Sequence, residues 1–219
     1  MITLYGFGRI FPEGIGETKD LWAQWALEES GLPYRVHALD HGAGDLDSEA
    51  YSRISPFHQV PVIDDDGFVV AESAAVVLYI AEKAGKLIPS DVQGRTRVVQ
   101  WCFAAVATIW PTFTCLDLIE IFDRDKTAGT VKTETLKLAA RWLQDLERRL
   151  EGRSWIACDE FTVADIMMAS VLRGGRNTGL MENFPQIESY YARCQARPAW
   201  QRTLGLYAER LGVRVDTLR

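Results

Sequence analysis

The chain has 219 residues, 47% of them hydrophobic and 25% charged, and a net charge of −6. That length suits one large domain or two modest ones with a sizeable core, and the acidic balance speaks against nucleic acid or an anionic membrane as the main partner. The opening MITLYGFGRIFPEG lacks the basic-then-apolar layout of a secretory signal, and no uninterrupted apolar run approaches the roughly 20 residues that span a bilayer; the expected location is the cytoplasm.

In chain order, ITLY is a short apolar strand. ETKDLWAQWALEESG follows with Leu21, Trp25 and Leu27 at helical spacing and Gly31 as its stop. YRVHAL reads as a second strand and LDSEAYSRI as a short polar helix or turn. PVI and FVVA flank DDDG, a hairpin signal, and ESAAVVLYIAEKAG is a helix closed by Gly85. Two parallel strands joined by a crossover, followed by a hairpin, predict a mixed sheet with helices on its faces.

Beyond KLIPSD, where Pro89, Ser90 and Asp91 mark a linker, strand signals largely vanish. VVQWCFAAVATIWPTF, interrupted by Pro111, reads as a buried helix. VKTETLKLAARWLQDLERRLEG is amphipathic, with Leu136, Ala139/Ala140, Leu143, Leu146 and Leu150 on one side. Helices are also expected over TVADIMMASVLRG, IESYYARCQAR and WQRTLGLYAERLG. The predicted organisation is an α/β unit over residues 1–85 and an all-helical domain over residues 92–219. Cys102, Cys115, Cys158 and Cys194 form no C-x-x-C pair, and His37, His41 and His58 have no metal-ligand spacing on a helix. No metal is expected.

This order of elements resembles the cytosolic glutathione S-transferases of bacterial type, over nearly the whole chain. WALEESGLPY, SPFHQVPVI, ESAAVVLYIAEK and FTVADIMMASVL carry the resemblance by their order and spacing. It implies a thioredoxin-like N-terminal domain, an all-α C-terminal domain, a homodimer, and glutathione as co-substrate without a metal. Val60-Pro61 stands where the family has a cis proline that leaves the main chain of the preceding residue unpaired at a sheet edge. There the cysteinyl part of glutathione docks as an extra strand, with Gln59 placed to touch the same peptide. Glu72 and Ser73 open a helix whose positive end suits the γ-glutamyl carboxylate, while Glu72 suits the ammonium. Read plainly, Val60-Pro61 opens a strand and Ser73 caps a helix. Thr162-Val163-Ala164-Asp165 is a capping box, a folding device.

The family's chemistry needs the thiolate, made accessible by a hydrogen bond to sulfur and the positive end of the first helix. GFGRIFPEGIGETKD is longer than the usual connection and has neither Ser nor Cys. Counting back from ALEESG, the usual slot falls on Glu17, Thr18 or Lys19, and Thr18 is the hydroxyl among them, or simply a helix cap. Tyr5, Arg9 and a backbone N–H of the loop are the other candidate activators. Where plant-type members carry a basic pair for the glycyl carboxylate, this chain has Leu46-Asp47, which Gln59, His41 or His58 has to offset. The small apolar electrophile is expected between the domains, beside Phe7, Ile10, Phe11, Trp101, Phe103, Trp110 and Phe113, although such aromatics also read as core. Pro111 is expected to bend its helix there. The implied function is addition of the glutathione thiolate to such an electrophile, a detoxification chemistry. The alternatives are glutathione-dependent reduction of a disulfide or peroxide, and a non-catalytic binding or scaffold protein.

Overall fold

In the computed structural model, which describes residues 1–123, 125, 127–176 and 178–218, with Glu13 by its backbone alone, the first strand runs further than its apolar opening suggests. β1 (Ile2–Arg9) is buried along most of its length, as a central strand with both faces covered must be. β2 (Tyr34–Asp40) pairs parallel to it, β3 (Val62–Asp65) antiparallel on its other side, and β4 (Phe68–Ala71) antiparallel to β3. The order β2-β1-β3-β4 is the expected mixed sheet. The hairpin turns through Asp66 and Gly67 at φ 52° and 96°, the paired positive angles of a type I′ turn. α1 (Asp20–Ser30) and α3 (Ser73–Ala84) stop at Gly31 and Gly85, both left-handed. The polar stretch between β2 and β3 forms a 3-10 turn and the short α2 (Glu49–Ser52). Tyr51 of α2 packs with Phe7, Leu39 and Val62 on one face of the sheet.

By packing, the chain forms two compact units: residues 1–89 with 196–219, and residues 90–195. In the second, α4 (Val92–Phe103) and α5 (Trp110–Phe122) are joined by a π-helix over Ala104–Ile109, and α6 (Gly129–Leu150), α7 (Val163–Gly174) and α8 (Pro185–Gln195) follow. Pro111 does not end the run. It stands in the first turn of α5, where a missing N–H is tolerated, and just upstream the Trp110 N–H reaches back five residues to the Ala105 carbonyl. Such a π turn releases the ladder where the proline ring needs space.

The helix expected to be buried here is buried on one side. Val98, Cys102, Ala105, Ile109 and Phe113 form a buried stripe, but only 33% of the most apolar window of Val92–Phe122 is buried. Among the described residues, this run is the one long and apolar enough to cross a membrane by length and composition. On α6, Ala139, Leu143, Leu146 and Leu150 are buried as expected, while Leu136 is exposed. α7 starts with the expected capping box: Asp165 Oδ2 accepts the Thr162 N–H at 2.8 Å, and Thr162 Oγ1 accepts the Ala164 N–H at 3.3 Å. The same carboxylate takes the Ile156 N–H and the Tyr190 hydroxyl. Burial pushes it up to about 6 against those donors.

α9 (Pro198–Leu211), expected with the helices before it, packs instead on α1 and β1 in the first unit. The reason is visible in the pairs that join α9 to α1. Trp200 meets Trp25 with ring centroids 4.7 Å apart, both fully buried, and Arg197 grips Glu29 with two nitrogens. Arg202 bonds Glu28.

Candidate functional site

β1 outruns β3. Their register ends at the pair Tyr5–Val62, so the main chain at Phe7 needs other partners on that edge. Asp20, the first residue of α1, accepts the Phe7 N–H on Oδ2 at 3.2 Å. Arg210 of α9 donates to the Phe7 carbonyl at 2.8 Å, to Asp20 Oδ2 at 2.7 Å and to Gln24 Oε1 at 2.9 Å. The carboxylate lies so close to the strand that a Cβ on Gly6 would sit 2.5 Å from Oδ2. Complete burial raises the Asp20 carboxyl, and the guanidinium opposes that rise.

The loop before α1 is tied to the same helix. Tyr207 of α9 accepts the Gly16 N–H at 3.3 Å and lies 2.8 Å from Thr18 Oγ1. Thr18 does not cap α1. Lys19 takes that position without a capping side chain, and the threonine hydroxyl is turned to Tyr207.

A groove runs along the free end of β3. At one end a hollow of about 70 Å³ is lined by Pro61, Glu72, Ser73 and Phe57. At the other, a cavity of about 270 Å³ is lined by Thr18, Phe7, Phe11, His41 and His58. Lys19, Gln59 and Val60 line both and so join them. The Val60-Pro61 bond is cis, and β3 begins only at Val62. Tyr51 and Ser55 hold the Gln59 carbonyl at 2.8 and 2.9 Å, and Ser55 Oγ takes the Gln59 N–H at 2.9 Å. Gln59, Val60, Pro61, Glu72 and Ser73 thus share one hollow, and Thr18 shares the next with Gln59 and Val60.

Glu72 holds φ 71°, a conformation that costs a non-glycine residue about 1–3 kcal/mol. Its side chain makes no capping bond, although it occupies the N-cap position of α3, and Ser73 is buried at the first helical turn. Strain at a helix mouth that serves no cap points to a ligand. Opposite stands Lys19, whose ammonium is pushed down by burial and pulled up by the charge of Glu72. The groove therefore offers a carboxylate, an ammonium and a helix N-terminus within one hollow, the partners a zwitterion requires.

Other candidates are set apart. Tyr5 lines a different hollow, with His37 and Tyr51, and its ring lies 5.0 Å from His37. Arg9 faces Asp40 at 3.4 Å from an exposed position. At the far end of the groove His58 Nδ1 lies 2.8 Å from the Leu46 carbonyl and 3.3 Å from Asp47, so an imidazole stands against the acid. Phe7 is buried and Phe11 half exposed against His41, while in the other unit Phe113 is core and Phe103 exposed. Trp101 lies under the Arg149 guanidinium. Among the described residues no three His, Cys, Asp or Glu side chains are grouped to hold a metal. The sequence reading passed over Lys19, since it sought a hydroxyl. It missed the Ser55 clamp, four residues from Gln59, and had no local signal for Tyr207 or Arg210.

Residues 23–83 match the family model for the glutathione S-transferase N-terminal domain, and residues 119–201 match the one for its C-terminal domain. Thr18 lies before the first of these spans. The chain is 27% identical over 186 residues to glutathione S-transferase hmp2 of Hypomyces subiculosus, covering 80% of this chain and 88% of that one. It is 26% identical over 189 residues to the disulfide-bond oxidoreductase YfcG of Escherichia coli (strain K12), covering 79% and 84%. Among solved structures, a glutathione transferase family member from Pseudomonas fluorescens pf-5, with two glutathione bound, superposes with a TM-score of 0.81 at 27% identity, over 92% of this chain and 91% of that one.

Proposed function

Since the chain belongs to the glutathione S-transferase family, we propose that its groove binds glutathione and adds the thiolate to a small apolar electrophile. One observation carries this reading: the hollow with Glu72 and Ser73 opens through Val60 onto the cavity with Thr18. An extended tripeptide fits that order. Its amino-acid head meets Glu72, Ser73 and the start of α3, and its cysteinyl part pairs with Val60. The sulfur then falls beside Thr18 and the start of α1. Gln59 steadies the peptide, and His58 offsets Asp47 near the glycyl carboxylate. The electrophile sits beyond the sulfur, against Phe7, Ile10 and Phe11. Sulfur forms the new bond to carbon as the leaving group departs with its electron pair. Family domains over residues 1–85 and 92–219, homodimerisation, a cytoplasmic location and a detoxifying role belong to the same proposal.

A second reading is glutathione-dependent disulfide reduction, favoured by the likeness to the E. coli oxidoreductase and to a structure holding two glutathione molecules. None of the described residues lining the groove is a cysteine. That route therefore uses two glutathiones: the first thiolate displaces one substrate thiolate and forms a mixed disulfide, and the second attacks the glutathione sulfur of that disulfide, releasing the other substrate thiolate and glutathione disulfide. Supplying an apolar chloronitroarene or a small disulfide, and measuring thioether against glutathione disulfide, separates the two.

Binding is tested first. Glutathione at 100 times its dissociation constant should stabilise the fold by about 2.7 kcal/mol, a rise in Tm of roughly 5–10 °C for a chain this long. No rise at millimolar glutathione overturns the reading and leaves a scaffold role. For the thiol, Thr18→Ala should raise the pKa of bound glutathione by about one unit, toward the free value near 8.5, read from thiolate absorbance against pH. An unchanged pKa removes Thr18 from the chemistry.

A further inference from the structure

The hydroxyl proposed to serve the sulfur is itself held by a second hydroxyl, and the chemistry of that pair fixes the direction of its hydrogens. Tyr207 is fully buried, so leaving its O–H without an acceptor would carry the full desolvation penalty. The Gly16 N–H at 3.3 Å is a donor and offers nothing to accept that hydrogen. Among the described residues, Thr18 Oγ1 at 2.8 Å is the acceptor hydrogen-bonded to it. The chain of bonds therefore runs one way, from the Gly16 N–H to Tyr207 and from Tyr207 to Thr18.

A hydroxyl that accepts from Tyr207 keeps its own hydrogen to give. Two acceptors stand near it: the carboxylate of Asp20, whose rise the threonine hydroxyl moderates, and a sulfur lying in the cavity that Thr18 lines. Arg210 and the Phe7 N–H both bond Asp20 Oδ2, and the buried Oδ1 has no hydrogen-bond partner among the described residues, so no bond to Asp20 holds the threonine hydrogen away from the groove. Burial first, and the charge of Asp20 second, push the Tyr207 phenol up to about 12, so it keeps its hydrogen across the working range of pH.

We propose that Tyr207 on α9 is a positioning residue: by donating to Thr18 Oγ1 it turns the threonine hydrogen toward the groove and strengthens it as a donor to the glutathione sulfur. This rests on the reading of Thr18 as the group that meets the sulfur. Bonds in such a chain polarise one another by about 10–30% each. Tyr207 itself touches no substrate.

The test is Tyr207→Phe, which keeps the ring and removes one oxygen. Bound-thiol pKa is expected to rise by about half a unit, less than for Thr18→Ala. The affinity for S-methylglutathione, which has no thiol to ionise, is expected to stay within twofold of the parent. A general loosening of the fold would weaken both ligands together and would overturn the inference. In the Thr18→Ala background, adding Tyr207→Phe should produce no further rise, because the effect has lost its route. A second measurement does not remove the hydroxyl: 3-fluorotyrosine placed at position 207 alone is a stronger donor and should lower the bound-thiol pKa. An unchanged pKa in Tyr207→Phe, where Thr18→Ala raises it, overturns the role of Tyr207 and leaves that of Thr18. No rise in Thr18→Ala overturns both.

Discussion

Replacing Arg210 with methionine is expected to cost the fold about 3–5 kcal/mol, the usual penalty for leaving a buried charge without its partner. The guanidinium is 10% exposed and the Asp20 side chain not at all, so water cannot take over. Three bonds go together: those to Asp20, to Gln24 and to the Phe7 carbonyl. The loss should depend on pH with a definite sign. Burial already holds the Asp20 carboxyl above its ordinary value, against the pull of Arg210. Without Arg210 it rises further, and the folded chain binds that proton more tightly than the unfolded chain does. Stability then falls as pH climbs from the unfolded value near 3.9 through the folded one. Urea unfolding at several pH values should show the deficit widening as pH rises above the ordinary carboxyl range, the direction set by the raised Asp20 carboxyl. Asp20→Asn in the same chain should restore most of it, since no charge is then left unpaired. A deficit below about 1 kcal/mol at every pH would mean that α9 is not held in this way.

Glu72→Ala should weaken glutathione binding by roughly 100-fold, about 2.7 kcal/mol, with little change in the fold. Among the described residues, this carboxylate is the one acid lining the hollow beside Ser73 and the start of α3. Its loss leaves Lys19 facing the incoming ammonium with no anion between them. Glu72→Gly separates function from folding more sharply. Glycine accepts φ 71° without strain, so this variant should bind as poorly as the alanine one while unfolding no more easily, and up to about 1 kcal/mol less easily. Titration calorimetry and denaturant unfolding on the same preparations measure the two quantities. Retained affinity in either variant would take Glu72 out of the site.

Local signals reached the sheet and the groove wall. The Asp66-Gly67 turn and the stops at Gly31 and Gly85 are each written within a few residues, because turn and cap conformations belong to particular side chains; Val60-Pro61 reads locally as the start of a strand, and its part in the groove was expected from the family resemblance. The element order followed from them. What remained hidden depends on distance along the chain. Periodicity identifies α9 as a helix but not the unit it joins, since Trp200 and Arg210 look like ordinary face residues until Trp25 and Asp20 are placed beside them. Thr18 was legible as a hydroxyl near the right place. Its partner is 189 residues away, and without that partner the capping reading was the simpler one. Pro111 was legible as a bend, but the π turn beside it rests on backbone bonds no residue type announces.

The return of α9 to β1 has a consequence for how the chain is made. Arg210 follows Asp20 by 190 residues, so at a ribosomal pace of about 5–20 residues per second, roughly 10–40 s separate them. Through that interval the nascent sheet and its first helix carry an acid with no counter-ion, and they must keep it wet. The sheet and α1 are thus completed only when α9 arrives, which makes the apolar face that α9 covers the client a chaperone would meet.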